Sequence, residues 1–458
     1  MTTSPKPSVS PVAPVAPVAI IGAGPGGLVL ARYLQIHSVP CVIYERETSA
    51  SARGQGGSLD LHGDTGLEAL RRTHLLDEAR GLMRPEGDVL KIMDKTGKVL
   101  WDENKEGGVG ATGATDADSM RGRPEIDRTD LRNLLLRSLL PDTVKWGYGV
   151  KSIAALNNDE YEITFINAQP PVVTSCLIGA DGVWSRVRPL LHSSKPFYSG
   201  LTMYDMFIPP GDLTPEMQKY VGAGSALVLD DHKGILPQMN SGGKCVIYAA
   251  MQLPEAFLDA NPLPEAGKKE VITKHFEDWH PINRELIMAA DERSVTPRKI
   301  WSFDPELKWD SPLTGVTVIG DAAHVMSPFA GEGVNQAMAD GMDLGQTLVK
   351  QYRHPRPSAS LPPFPLSFLP VSPPVSSPPT LREPDRASLH RRLRAFERRM
   401  MRRASPEMRG ALDNQKVAFG DDSAKKFTAM FKWFILGFVV DLVTAAPKRA
   451  FMNWWDSE

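Results

Sequence analysis

The chain is predicted to adopt an α/β fold on three observations: an apolar strand that runs into a glycine cluster, a long middle stretch of strand-like runs, and a late apolar strand that resumes the first pattern. Val18, Ala19, Ile20 and Ile21 form a continuous apolar run of the kind a buried parallel strand requires. Helical character follows over residues 28–36 and a second strand over residues 41–44, which completes a strand, helix, strand unit. Helical spacing recurs over residues 130–140, where Leu131, Leu134, Leu135 and Leu139 are apolar, and residues 173–180 read as one strand ending at Asp181 and Gly182. From Gly200 to Ile300 strand-like runs are broken by Gly, Asn and Pro turns. Residues 316–319 restore the apolar parallel-strand pattern, and a helix is expected over residues 334–349.

These runs divide the chain. Residues 1–16, rich in Pro, Ser, Val and Ala, are expected to be a disordered leader without targeting character. Residues 17–199 and 301–350 are assigned to one nucleotide-binding domain in two parts, and residues 200–300 to a sheet-rich second domain that holds a substrate. A Pro/Ser-rich insertion, expected to be flexible, occupies residues 351–386, and helices occupy residues 387–458. One of these is Arg-rich, over residues 389–403, with Arg391, Arg392, Arg394, Arg398, Arg399, Arg402 and Arg403. The last, over residues 427–446, carries Phe427, Met430, Phe431, Phe434, Ile435, Phe438, Val439 and Leu442 on one stripe. The stripe is expected to pack on the core. A peripheral membrane anchor is the alternative, favoured by the arginines and by Trp454 and Trp455, whereas Lys432 and Asp441 oppose a membrane span.

A chain of 458 residues with 42% hydrophobic and 23% charged residues can bury a large core and is neither disordered overall nor a polytopic membrane protein. The formal net charge of −2 offers nucleic acid no electrostatic attraction. Cys41, Cys176 and Cys245 are scattered and odd in number, which fits a reduced, cytoplasmic setting and neither a zinc site nor a disulfide framework.

Three motifs carry chemistry. Gly22, Gly24 and Gly27 fit G-x-G-x-x-G between a strand and a helix, where glycines admit a pyrophosphate and the helix N-terminus supplies N–H donors. Glu45 closes the second strand, placed to accept hydrogen bonds from an adenosine ribose. The second motif is Gly320-Asp321-Ala322-Ala323-His324 with Pro328, Gly331, Gly333 and Asn335. Its strand-end Asp suits the hydroxyls of a ribityl chain, and the helix start near Gly333 suits the pyrimidine edge of a reduced flavin. His324 is expected to pack or hydrogen-bond beside this loop. The third, Gly179-Ala180-Asp181-Gly182 with Ser185, Arg186 and Arg188, is an ordinary turn by itself and gains meaning from its place between the others. The fold class is therefore α/β, with a Rossmann-like FAD-binding domain, a β-sheet-rich substrate domain and C-terminal helices.

Together these motifs, with Glu45-Arg46, resemble the para-hydroxybenzoate hydroxylase-type FAD-dependent monooxygenases over residues 18–348. Within that family the chain most resembles the tetracycline-inactivating flavin monooxygenases, through Tyr44-Glu45-Arg46, the segment Gly56 to His62 and the segment Pro124 to Arg132. The resemblance implies FAD contacts by Glu45, Asp60, Arg128 and Asp321, Arg46 nearby, and a role for Arg53 in bringing NADPH to the flavin. It also implies hydroxylation of a small aromatic or polycyclic substrate by molecular oxygen through a flavin C4a-hydroperoxide, so that no side chain is assigned as a catalytic acid, base or nucleophile and no metal is expected. The middle of the chain departs from the tetracycline enzymes, with Asp205 and Ile247 where they hold their substrate, so tetracycline is not the expected substrate. Another flavin dehydrogenase or oxidase, or a non-catalytic flavin-binding protein, shares the nucleotide motifs. A flavin halogenase would need Trp-x-Trp-x-Ile-Pro, which Lys299 to Phe303 does not supply.

Overall fold

Five parallel strands form the floor of the nucleotide domain in a computed structural model that describes residues 18–52, 56–104, 123–156, 159–352 and 385–433. Their spatial order is Val316–Val318, Leu177–Gly179, Val18–Ile21, Cys41–Glu45 and Val144–Trp146. The central strands are buried on both faces, which explains their unbroken apolar runs. Register aligns Ile21 with both Tyr44 and Gly179, and Gly179 with Val318. The carboxyl ends therefore stand side by side, and all three motifs lie along one edge, the edge at which open α/β sheets bind ligands.

The helix after the first strand runs Pro25–Ile36 and begins earlier than the apolar pattern suggests, because Pro25 occupies its first turn, where the missing N–H costs nothing. It packs against the helix Gly333–Tyr352, backbone against backbone, at Gly26 and Gly341. A Cβ on Gly341 would collide with the Gly26 carbonyl oxygen and stand 3.1 Å from the Leu30 nitrogen. Gly341→Ala is accordingly expected to force the two helices apart and cost roughly 1–3 kcal/mol of stability, read as a lower urea midpoint. An unchanged midpoint would show that the helices slide apart freely.

Two expectations need correction. The predicted strand over residues 173–180 is two strands in different sheets: Val172–Thr174 pairs with Tyr161–Phe165, and Leu177–Gly179 joins the parallel sheet. Thr174 turns the chain between them, its hydroxyl accepting from the Cys176 N–H and donating to the Cys176 carbonyl. The second sheet also extends beyond residues 200–300. Its order is Thr296–Ser302, Phe197–Ile208, Cys245–Gln252, Lys233–Met239, Ser225–Asp230, Leu90–Asp94 and Val99–Asp102. The two strands from residues 90–102 are hidden in the sequence because Lys91 interrupts their apolar run and their partner lies far along the chain. Lys91 is buried nonetheless, its ammonium donating to the carbonyls of Lys219 and Tyr220.

One face of this sheet packs on the helices Pro215–Val221, Lys268–Thr273 and Pro281–Ala289, through Tyr204, Ile247, Ile272 and Leu286 among others. The opposite face carries Leu201, Met203, Leu229, Ala250 and Ile300 and meets Phe419 and Phe427 from the C-terminal part of the chain. The helix Arg386–Ala418 is far longer than the arginine run suggests and joins both domains. Two of its arginines are not part of a solvated basic face. Arg394 is buried against the Val316 carbonyl and Glu397, and Arg403 pairs with Asp340 and Asp343. Beyond it, residues 423–433 are helical. Phe427, Met430 and Phe431 pack on the second sheet, with Phe431 edge-on to Trp101 at 5.9 Å and the Lys432 ammonium 5.7 Å over the same indole. Phe434 and the rest of that stripe, the leader and residues 353–384 of the Pro/Ser-rich insertion lie outside the described residues. No described helix is long and apolar enough to cross a membrane.

Candidate functional site

The glycine motif forms a tight loop at the edge of the parallel sheet. Gly22 has φ of +102°, and a side chain there would strike the Ala180 carbonyl, so the loop and the Asp181 turn are held in direct contact. A side chain on Gly24 would meet nothing within 4 Å, so this face of the loop is open. Gly24 caps the Pro25 helix without a side-chain hydrogen bond, and no acidic residue stands in its first turn. The N–H groups and positive end of that helix are free for an anion, which is the chemistry a dinucleotide pyrophosphate needs.

Glu45 is buried and holds this loop together: one carboxylate oxygen accepts from the Ala23 N–H at 2.7 Å and the other from the Glu47 N–H at 3.0 Å. Each oxygen keeps a lone pair for a further donor. Arg46 beside it is exposed, and Arg53 lies outside the described residues.

Asp321 begins a short helical turn, Asp321–His324, at the carboxyl end of the strand Val316–Val318. It is open to solvent on one side, yet protein crowds it enough that desolvation raises its pKa, against the lowering charges of His324, Arg128 and Arg298. Such a carboxylate stands in a crevice. Arg128 opens the helix Arg128–Arg137, is exposed, and lies where its charge acts on Asp321, Asp205 and Tyr248 at once. The structure thus brings Arg128, from a distant part of the sequence, near enough for its charge to favour the ionised form of Asp321. Asp181 occupies the neighbouring strand end, with one oxygen accepting from the Arg186 N–H at 2.6 Å and the other buried without a hydrogen-bond partner among the described residues.

Behind Asp321, His324 is buried and donates from Nε2 to Asp340 at 2.6 Å. Burial lowers the His324 pKa, but the charge and hydrogen bond of Asp340 outweigh it and the net shift is upward. The same Asp340 oxygen accepts the Gly320 N–H at 2.8 Å, and its other oxygen accepts from Arg403 at 2.5 Å. One buried carboxylate therefore ties the Asp321 turn to the long C-terminal helix.

The turn Pro328–Ala330, Gly331 in the left-handed region and Gly333 at the start of the Gly333–Tyr352 helix form the next wall. A side chain on Gly331 would stand 3.1 Å from Asp60. Asp60 is partly exposed and is engaged by His62, whose Nε2 lies 2.9 Å from it while Nδ1 lies 2.7 Å from Glu332. Burial lowers the His62 pKa, but hydrogen bonds and charge from both carboxylates raise it to about 9. A raised histidine pKa contributes stability that is complete below the unfolded value near 6.5 and is lost as pH rises through about 9. Wild type is therefore expected to lose stability between about pH 7 and 10 relative to His62→Gln, measured as the difference in urea midpoint across that range; parallel pH profiles would overturn the clamp.

Sequence reasoning missed Glu332, Asp340, Arg403, Arg298 and Tyr248 as parts of this site. An acid on the buried face of a helix was the one available signal for Asp340, which is fully buried. Arg298 and Tyr248 reach the site only through the pairing of sheet strands.

The residues present fit FAD: an uncapped helix start behind an open glycine, a strand-end carboxylate in a cleft, and a second helix start at Gly333. Comparison with known proteins agrees. The sequence matches the family described as FAD binding domain over residues 15–362. Monooxygenase penA of Penicillium thymicola is 30% identical over 379 residues, 72% of this chain and 84% of that protein. Monooxygenase asqM of Emericella nidulans is 27% identical, over 90% of this chain and 97% of that protein. The fold resembles Klebsiella pneumoniae HpxO complexed with FAD and uric acid, with a TM-score of 0.65 at 19% identity over 90% of this chain and 91% of that one. Tetracycline destructase Tet(51) gives a TM-score of 0.62 at 15% identity over 93% of this chain and 98% of that one, a likeness of fold.

Proposed function

The chain belongs to the FAD binding domain family and is an FAD-dependent monooxygenase, and from that premise we propose that it hydroxylates an aromatic or polycyclic small molecule with NAD(P)H as reductant and molecular oxygen as co-substrate. The observation that carries the reading is that an uncapped helix start behind the open Gly24 and the carboxylate of Asp321 stand at carboxyl ends of the same parallel sheet. Flavin bound there supplies the oxygen chemistry. Gly24 and the Pro25 helix start would hold the pyrophosphate, and Glu45 the adenosine ribose. Asp321 would hold hydroxyls of the ribityl chain, and the start of the Gly333 helix would stabilise negative charge on the reduced ring. Apolar packing of the second sheet against Phe419 and Phe427 would exclude water from one side of a bound planar ring. A role in secondary metabolism or in modifying foreign compounds follows the kind of substrate such a face accepts.

NADPH is assigned as a diffusing reductant because the one G-x-G-x-x-G pattern that follows an apolar strand-like run in the sequence, at Gly22, is already taken for FAD, with Arg53 helping to bring NADPH to the flavin. The test is a screen of NADPH consumption by the purified yellow protein against phenols, quinones, anthraquinones and polyketide intermediates, with mass spectrometry of the products. Acceleration by a ring compound and gain of one oxygen atom are the expected results. Protein whose flavin neither NADPH nor NADH reduces under anaerobic conditions would overturn the reading.

A further inference from the structure

Where the long helix Arg386–Ala418 packs against the helix Gly333–Tyr352, the two leave a groove of about 320 Å³ between them. Arg392 and Arg399 belong to one wall and Lys350 and Gln346 to the other. The two arginines are seven positions apart, close to two helical turns, so they share one side of their helix about 10 Å from each other. Ala395 lies between them, and its small side chain leaves the space open.

Arg392, Arg399 and Lys350 are all exposed, and among the described residues no carboxylate pairs with them. Asp343, the one carboxylate lining the groove, is held by Arg403 at 2.7 Å. Each arginine has a single long contact to a hydroxyl, Arg392 to Ser388 at 3.4 Å and Arg399 to Thr347 at 3.5 Å, beyond the range of a good N–H···O bond. Their other N–H groups are left for a ligand. On the same helix Arg394, Arg403 and Arg409 are ion-paired, so pairing is the habit of this helix and the groove is the exception. Arg391, Arg398 and Arg402 stand exposed on the same stretch and strengthen its positive field.

Three cations around one depression repel one another, and an anion lying between them removes that repulsion. We propose that this groove is a second ligand site, separate from the flavin site, that takes a phosphate monoester through Arg392, Arg399 and Lys350. A monoester carries close to two negative charges and three acceptor oxygens, which suit two forked guanidinium groups and one ammonium better than a single carboxylate would. The groove is larger than a phosphate, and the Gln346 amide serves polar groups of the esterified part. Lys350 lies seventeen positions beyond Gly333, about 25 Å along the helix from the flavin wall, so the phosphates of FAD at the glycine loop are not its occupants.

The test uses the FAD-loaded full chain and two probes that share the monoester: glycerol 3-phosphate, followed by titration calorimetry, and phosphatidylcholine vesicles with and without phosphatidic acid, followed by sedimentation. Heat with glycerol 3-phosphate identifies a soluble ester as the ligand, and sedimentation with phosphatidic acid alone identifies a lipid headgroup. For whichever probe wild type holds, Arg392→Gln and Arg399→Gln are each expected to weaken binding about tenfold, the worth of a charged hydrogen bond. Ala395→Leu keeps every cation and fills the groove, and is expected to abolish binding. If it fails to load FAD, Lys350→Gln carries the test with a loss of about tenfold. Arg409→Gln, which removes an equal charge from the same helix outside the groove, is expected to leave binding within about twofold of wild type. Binding of neither probe, binding undiminished in the groove variants, or an equal loss in Arg409→Gln, the mark of diffuse attraction to a basic helix, would each overturn the proposal.

Discussion

Asp321→Ala is expected to yield protein that is largely free of FAD after gel filtration. The side chain lies at the carboxyl end of a buried strand, in a cleft where protein crowding already disfavours its charge while His324, Arg128 and Arg298 favour it. A carboxylate oxygen in a partly desolvated site is a strong acceptor for flavin hydroxyls, and each such bond is worth about 1.5–3 kcal/mol, or about ten- to a hundredfold in Kd. Alanine removes the acceptor and leaves the cations uncompensated. Asp321→Asn, which keeps the shape and a weaker acceptor, should fall between wild type and alanine. Full yellow occupancy of the alanine variant would remove Asp321 from the flavin site.

The second large effect is expected at Asp340, although this residue is placed behind the cleft and reaches it only through its neighbours. Its carboxylate is fully buried and serves the Gly320 N–H, His324 and Arg403 together. Removing one partner of a buried ion pair costs about 3–5 kcal/mol, because the remaining charge stays desolvated. Asp340→Ala is therefore expected to lower the urea midpoint sharply and also to weaken FAD binding, since the Asp321 turn loses two of its anchors. Arg403→Ala should affect stability more than FAD affinity, because the bonds from Gly320 and His324 to Asp340 survive it. An Asp340→Ala protein with both properties unchanged would show that the turn holds itself.

The same network shows why parts of the site could not be read from the chain. Gly22, Gly24 and Gly27 announce themselves because a strand, a tight turn and a helix start are local events, and the Asp321 motif does so for the same reason. His324 was expected beside its loop as a packing or hydrogen-bonding residue, and it is one. Its partner Asp340 lies in a helix where an acid looks like any solvated position until the neighbouring helix covers it. The arginine run at residues 391–403 looked uniformly basic, yet Arg394 and Arg403 turn inward while Arg391, Arg392, Arg398, Arg399 and Arg402 remain exposed.

The sequence by itself determined the α/β class, the order of the flavin motifs, the FAD-dependent monooxygenase family and the existence of a sheet-rich second region. Those properties depend on apolar periodicity and on turns that only certain residues can make, both written within a few neighbouring positions. Only the tertiary structure decided that residues 90–102 complete the second sheet, that residues 173–180 split between two sheets, and that Arg403 reaches Asp340 behind the Asp321 turn. Each of these rests on strands or charges brought together across long stretches of chain. Pairing of that kind is governed by which faces must be buried in three dimensions, and a local pattern carries no record of it.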